Sequence, residues 1–234
     1  MSGPQLWVRG VDATGTDVVR LALPHGMSPE QLLAREGFAS VEARTVGGQP
    51  DPHILVLEYS VRQADGIPVH ERQPLRDPGL VVRPGEAAWR RQRVGVYALC
   101  RSTQGLLLTQ FSDRTNAPMQ WGLPGGGIDA GELAEAALHR EVHEETGQRL
   151  RVERFLGVHD AHWVGRAPTG RLEDFHTVGL IYLATCPQPT DPVVHDVGGT
   201  TLSAAWVPLA QVENVPLTEA WRRILARWLP AVGG

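Results

Sequence analysis

Five glutamates, at positions 132, 135, 141, 144 and 145, fall within fourteen residues directly behind the glycine-rich stretch Gly122-Leu123-Pro124-Gly125-Gly126-Gly127. No other stretch restricts the chain as much. The run from Glu132 to Thr146 has helical spacing. At about 100° per residue, with Glu141 as zero, Glu145 falls near +40° and Glu144 near −60°, while Ala134, Leu138 and Val142 fall between about +20° and +100°. Three carboxylates thus share one flank with the apolar stripe. Like charges at one-turn spacing repel, and beside a buried face they are costly to keep ionised unless a cation sits among them. A solvated acidic face is the ordinary reading of such a charge run. The loop of open backbone that feeds this helix tips the balance toward a metal site. The donors are hard oxygens without cysteine, and His139 and His143 fall on the far side, so Mg²⁺ is favoured, with Mn²⁺ as a substitute.

Composition narrows the partners. The net charge of −4 over 234 residues argues against a constitutive nucleic-acid binder, since that affinity rests on Lys and Arg. Cys100 and Cys186 have no metal-type spacing and indicate neither a disulfide framework nor a zinc site. The start, Met1 to Thr14, lacks a basic-then-apolar pattern, and no membrane-length apolar run occurs. A cytoplasmic protein without membrane contact is therefore expected.

Along the chain, Leu6–Val11 and Val18–Leu23 read as strands around a turn. Ser28-Pro29-Glu30-Gln31 supplies a capping box with proline at the first helical position, and Gly37 the stop. Val41–Val46 and Ile54–Val61 follow, the second apolar enough to be central. These elements predict a small α+β domain of ββαββ order over 1–66. Prolines 68, 74, 78 and 84 mark a linker over 67–91. A second domain spans 92–234, with strands at Val94–Cys100, Leu106–Gln110, Val152–Val158, Thr177–Thr185 and Leu202–Val207. Its last helix, Glu219–Leu229, is capped by Thr218. Exposed strand edges in so small an N-terminal unit suggest a homodimer.

Gly126, Glu132, Arg140, Glu141, Val142, Glu144, Glu145 and Gly147 fill, in register, the pattern G-x5-E-x7-R-E-U-x-E-E-x-G-U, where U is a bulky aliphatic residue. In this the sequence resembles the Nudix family. The last aliphatic position holds Gln148, a departure that touches packing at the helix exit. The likeness takes in Trp121-Gly122-Leu123-Pro124-Gly125 and Ala205-Trp206-Val207-Pro208-Leu209, and so covers about 92–230. It implies an α/β/α sandwich with a mixed sheet, following the small α+β domain.

The resemblance further implies a hydrolase that cuts a phosphoanhydride bond in a nucleoside diphosphate derivative. ADP-ribose, a nucleotide sugar or a modified nucleoside triphosphate are the candidates, and family frequency favours ADP-ribose. Glu144 and Glu145 would bind Mg²⁺, Glu141 would be a further ligand or the base, the Gly125 carbonyl would complete the shell, and Arg140 and Glu132 would form a structural pair. Glu173 and Asp174, expected on a loop, are the outside candidates for base or substrate contact; Asp196 is a poorer one. Thr200 and Thr201 stand where an acid is expected. Arg93 and Arg114 could meet phosphates, and Trp121 could stack on a base or pack beneath the loop. His162 and His176 read as structural histidines. A nucleotide-sensing module without turnover is the alternative from another class, and an isoprenoid diphosphate isomerase would require a reactive Cys100.

Overall fold

A computed structural model describes residues 3–69, 73–167, 169–196 and 198–232, without the side chains at 231 and 232. Of the expected linker, residues 70–72 lie outside these. The strands are β1 (Gln5–Val11), β2 (Asp17–Ala22), β3 (Phe38–Gln49), β4 (Ile54–Gln63), β5 (Leu75–Arg76), β6 (Trp89–Ser102), β7 (Gly105–Phe111), β8 (Trp121–Gly122), β9 (Gly125–Gly127), β10 (Arg151–Arg166), β11 (Leu172–Thr185) and β12 (Thr201–Val207). The α-helices are α1 (Pro29–Arg35), α2 (Ala134–Thr146) and α3 (Glu219–Trp228). The fold is α/β with a mixed sheet, and the N-terminal sheet is separate from it.

The chain forms two compact units. One holds Met1–Gly95, Ile128–Leu133 and Gly157–Leu180; the other holds Val96–Gly127, Ala134–Leu156 and Ile181–Gly234. In the first unit the N-terminal sheet runs β2-β1-β4-β3, with β1 parallel to β4 and the outer pairs antiparallel. The apolar run of β4 is interior, as its sequence predicts. The α1 capping box forms: Gln31 N–H donates to Ser28 Oγ at 3.2 Å, and Ser28 N–H donates to Gln31 Oε1 at 2.9 Å. That meets two of the amides a helix start leaves open. β3 is twice the length expected. It follows β4 from Phe38 opposite Gln63 to Gln49 opposite Ile54, and irregularities at Ser40/Glu42 and Ala43/Thr45 break the alternation that marks a strand in sequence.

In the second unit β12 and β8 flank β7 antiparallel. Leu106, Leu107 and Leu108 are all buried, so both faces of the sheet are covered. Leu106 and Leu108, with Leu99, Ile181 and Leu183, pack on Ile224, Leu225 and Trp228 of α3. Each such side chain stabilises the fold by about 1.5–3 kcal/mol. On the opposite face Tyr182 is buried within electrostatic reach of Glu135 on α2. Thr218 Oγ1 accepts from Trp221 N–H at 3.2 Å and caps α3.

Two expectations need correction. The signature helix starts at Ala134, two residues after Glu132. Gly131, with φ at +78°, and the bond from Glu132 N–H to the Asp129 carbonyl keep Glu132 in the preceding turn. Strands β10 and β11 also run further than their apolar cores, so Glu173 and Asp174 lie in a strand and not on a loop. β11 has neighbours on both sides, and its backbone bonds do not depend on polar side chains. No helix of the described residues is long and apolar enough to cross a membrane.

Candidate functional site

Helix α2 packs against β9 and β12 within the second unit. Its end is set by Gly147, whose φ of +69° reverses the chain and whose N–H donates to the His143 carbonyl at 2.8 Å. On the flank predicted from spacing, Glu145 is only 8% exposed. Its Oε1 accepts from Thr201 Oγ1–H at 2.5 Å and its Oε2 from Gly125 N–H at 2.9 Å. Burial pushes its carboxyl up to about 7, and the charges of Glu141 and Asp196 push the same way, against the two hydrogen bonds.

Glu141 leans on the glycine loop. A Cβ at Gly126 would meet Glu141 Oε2 at 2.4 Å, so the missing side chain is what seats this carboxylate. Arg140 ties loop to helix, donating from Nη1 to Glu141 Oε1 at 2.8 Å and Glu144 Oε2 at 3.3 Å, and from Nη2 to the Gly127 carbonyl at 3.0 Å. A cation between Glu141 and Glu144 would use their remaining oxygens or displace Arg140. The donors are carboxylate oxygens alone, which suits a hard divalent cation. The chain also leaves room for its loop: a Cβ at Gly125, φ +143°, would lie 2.0 Å from the Val96 carbonyl oxygen.

Thr201 and Asp196 carry more here than the sequence indicates. Thr201, where an acid was expected, is a buried donor to Glu145. The Asp196 carboxylate is felt by Glu145, and its backbone N–H donates to the Glu144 carbonyl at 3.2 Å. Arg114 is exposed beside Gly198, on a turn that Ser112 ties to Gly199 and Thr200. Trp121 is half-buried against the α3 core, a packing residue held by its N–H to the Pro216 carbonyl at 3.0 Å.

The remaining site candidates lie in the first unit. Glu132 Oε2 accepts from Asp129 N–H at 3.2 Å, and His53 braces that turn, donating from Nε2 to the Glu132 carbonyl and accepting Gly131 N–H at Nδ1. Arg93 is exposed on β6. Glu173 is buried and paired with Arg171 at 2.8 Å. Asp174 takes hydrogen bonds from two histidines, His25 and His162.

Gln148, at the signature's departing position, is buried in a polar nest. Its Nε2 donates to the Thr146 carbonyl and Thr190 Oγ1, and its Oε1 accepts from Thr190 N–H at 3.1 Å and Cys186 Sγ–H. Restoring the aliphatic residue, Gln148→Leu, is therefore expected to destabilise, by about 1–3 kcal/mol, because buried partners lose their bonds. A lower urea midpoint at unchanged m checks this. Cys100 is buried and its thiol is pushed up to about 12 by burial, so it is no nucleophile at neutral pH.

The NUDIX domain family model matches residues 89–229. The nucleoside triphosphatase NudI of Klebsiella pneumoniae (strain 342) is 32% identical over 145 residues, covering 58% of this chain and 96% of that protein. The namesake from Enterobacter sp. (strain 638) is 32% identical over 133 residues, covering 56% of this chain and 86% of that protein. Among solved structures, the MutT NUDIX hydrolase from Burkholderia pseudomallei has 30% identity and a TM-score of 0.41, covering 58% of this chain and 97% of that one. The chain belongs to the Nudix family. Within it, the chain is a pyrophosphohydrolase, an enzyme acting on acid anhydrides.

Proposed function

We propose that the enzyme hydrolyses a phosphoanhydride bond of a nucleoside triphosphate or a nucleoside diphosphate derivative with the help of Mg²⁺. The observation that carries this reading is the acidic flank of α2 against the glycine loop, with Glu145 buried and held from both sides. Glu144 and Glu145 would hold the ion, with Glu141 as third ligand or base and the Gly125 carbonyl completing the shell. An ion bound there would neutralise phosphate oxygens and lower the pKa of a water that attacks phosphorus. The protein's own part is positional. Thr201 and Gly125 N–H fix both oxygens of Glu145, and Arg140 fixes the approach of the loop to Glu141 and Glu144. Arg114, exposed near the Asp196–Thr200 turn, is the candidate contact for terminal phosphates.

NudI of Klebsiella pneumoniae, matched over 96% of its length, is a nucleoside triphosphatase by name, which supports proposing nucleoside triphosphates before ADP-ribose. The test is a panel of nucleoside triphosphates, ADP-ribose and nucleotide sugars assayed with Mg²⁺, with products identified by mass. Cleavage between phosphates of a triphosphate is the expected result, and it should stop when EDTA removes the metal. Inactivity across the whole panel, with folded and Mg²⁺-loaded protein, would contradict the proposal.

A further inference from the structure

The first unit carries a second set of ligand-bearing side chains, of different chemistry. Among the described residues, His25, His162 and Asp174 are the one set of three metal-ligating side chains whose ligand atoms all lie within 4.8 Å of one another. They come from distant parts of the chain: His25 from the β2–α1 connection, His162 from β10 and Asp174 from β11. Both imidazoles aim Nε2 at one oxygen, Asp174 Oδ1, at 2.8 and 2.5 Å. The other oxygen, Oδ2, faces Arg90 Nε at 3.6 Å. Gly26 makes the approach of His25 feasible. Its φ is +76°, and a Cβ there would strike the His162 ring at 2.7 Å.

His176 stands beside this set and is 0% exposed. Its Nδ1 lies 3.1 Å from Gln92 Oε1, which can only accept, so the ring proton is on Nδ1 and Nε2 presents a bare lone pair. That Nε2 has no hydrogen-bond partner among the described residues, and Asp160 Oδ2 is 4.0 Å away. A buried ring nitrogen left unmet costs about 1–3 kcal/mol. A histidine whose other nitrogen donates to a fixed carbonyl is in the state that binds a metal.

The three ring centroids are 5.3, 5.6 and 6.0 Å apart. With metal–nitrogen bonds of about 2.0–2.1 Å, the rings of a four-coordinate site sit with centroids about 5 Å apart, and neighbouring ligand atoms are about 3.3 Å apart. The hydrogen-bonded pairs among His25, His162 and Asp174 would have to open by less than about 1 Å to reach that spacing, while His176, whose ligand nitrogen lies outside the set held within 4.8 Å, would have to move toward it. The side chains of His25, His162 and Asp174 are 16–19% exposed, which leaves a path for an ion.

We propose that His25, His162 and Asp174, with His176 as fourth ligand, form a binding site for a divalent first-row transition cation of the zinc type. Imidazole nitrogen selects such an ion over Mg²⁺, so the site and the acidic helix draw on different metals. Binding requires Nε2 of His25 and His162 to give up the protons that Asp174 Oδ1 now accepts. The cation then ties the β2–α1 connection to β10 and β11, and its signature is stability and metal content, not turnover.

The test uses the whole 234-residue chain, loaded with Zn²⁺ in the presence of millimolar Mg²⁺ and then dialysed. Metal content is read by atomic emission and stability by the melting temperature. Co²⁺ in place of Zn²⁺ reports ligand type through its visible absorption. The expected result is one retained Zn²⁺ per chain, a raised melting temperature, and intense bands of four-coordinate Co²⁺. All three should be lost in His25→Ala and His162→Ala. Gln92→Leu, which keeps every ligand, should weaken Zn²⁺ binding about 10–100-fold. If His162→Ala does not fold, His25→Ala on the surface connection decides alone. A folded wild type that retains no Zn²⁺, or retention unchanged in the His25 variant, would overturn the site.

Discussion

Replacing Glu145 with glutamine is expected to reduce Mg²⁺-dependent turnover by about three orders of magnitude. A metal contribution of several kcal/mol to the transition state corresponds to that factor, at about 1.4 kcal/mol per tenfold. Glutamine keeps the shape but removes the charge. Its amide can keep both contacts, the oxygen accepting Gly125 N–H and the NH₂ donating to Thr201 Oγ1, so the loss reports the missing charge and not lost packing. Glu135→Gln is the matched control, because Glu135 is an exposed position of the same helix. Steady-state rates at saturating Mg²⁺, with circular dichroism to establish folding, check the prediction. Equal activity of the Glu145 and Glu135 variants would contradict it.

Gly125→Ala should be the most damaging single change to the loop, lowering stability by about 3 kcal/mol or more. The new Cβ would lie 2.0 Å from a backbone oxygen, that of Val96, which cannot swing away, and alanine resists a φ of +143°. Gly126→Ala makes an instructive contrast. There the Cβ meets the far end of Glu141, at 2.4 Å from Oε2, and a side chain can move. The expected outcome is a near-normal urea midpoint with strongly reduced turnover for Gly126→Ala, against a large fall in midpoint for Gly125→Ala. Equal midpoints for the two variants would show that the loop is not fixed where the geometry puts it.

These effects connect to what could be read from the amino acids. The flank shared by Glu141, Glu144 and Glu145 follows from helical spacing alone, because a 3.6-residue period leaves little freedom. The ββαββ order and the α1 cap were equally legible, being local. What the chain hides is long-range. Thr201 is 56 residues from the carboxylate it serves, and nothing in its neighbourhood distinguishes it from an ordinary strand threonine. His25 and Asp174 are 149 residues apart, and a histidine in a turn carries no sign of its partner. The reach of β11 back to Leu172 was obscured because Glu173, Asp174 and His176 look like loop residues until Arg171, the two histidines and Gln92 are seen to satisfy them. Gln148 breaks the family pattern in letters, yet the Thr146, Cys186 and Thr190 groups around it make a polar residue fit there.

Whether the acidic flank of α2 holds a divalent ion is tested, without reference to any substrate, by Mn²⁺ titration followed by electron paramagnetic resonance. Wild type and the folded Glu141→Gln, Glu144→Gln, Glu145→Gln triple variant are titrated in parallel, and bound Mn²⁺ is counted from the loss of free-ion signal. The predicted result is Mn²⁺ bound by the wild type and lost from the triple variant, with added Mg²⁺ releasing it from the wild type. The same Mn²⁺ occupancy in both proteins would contradict the account.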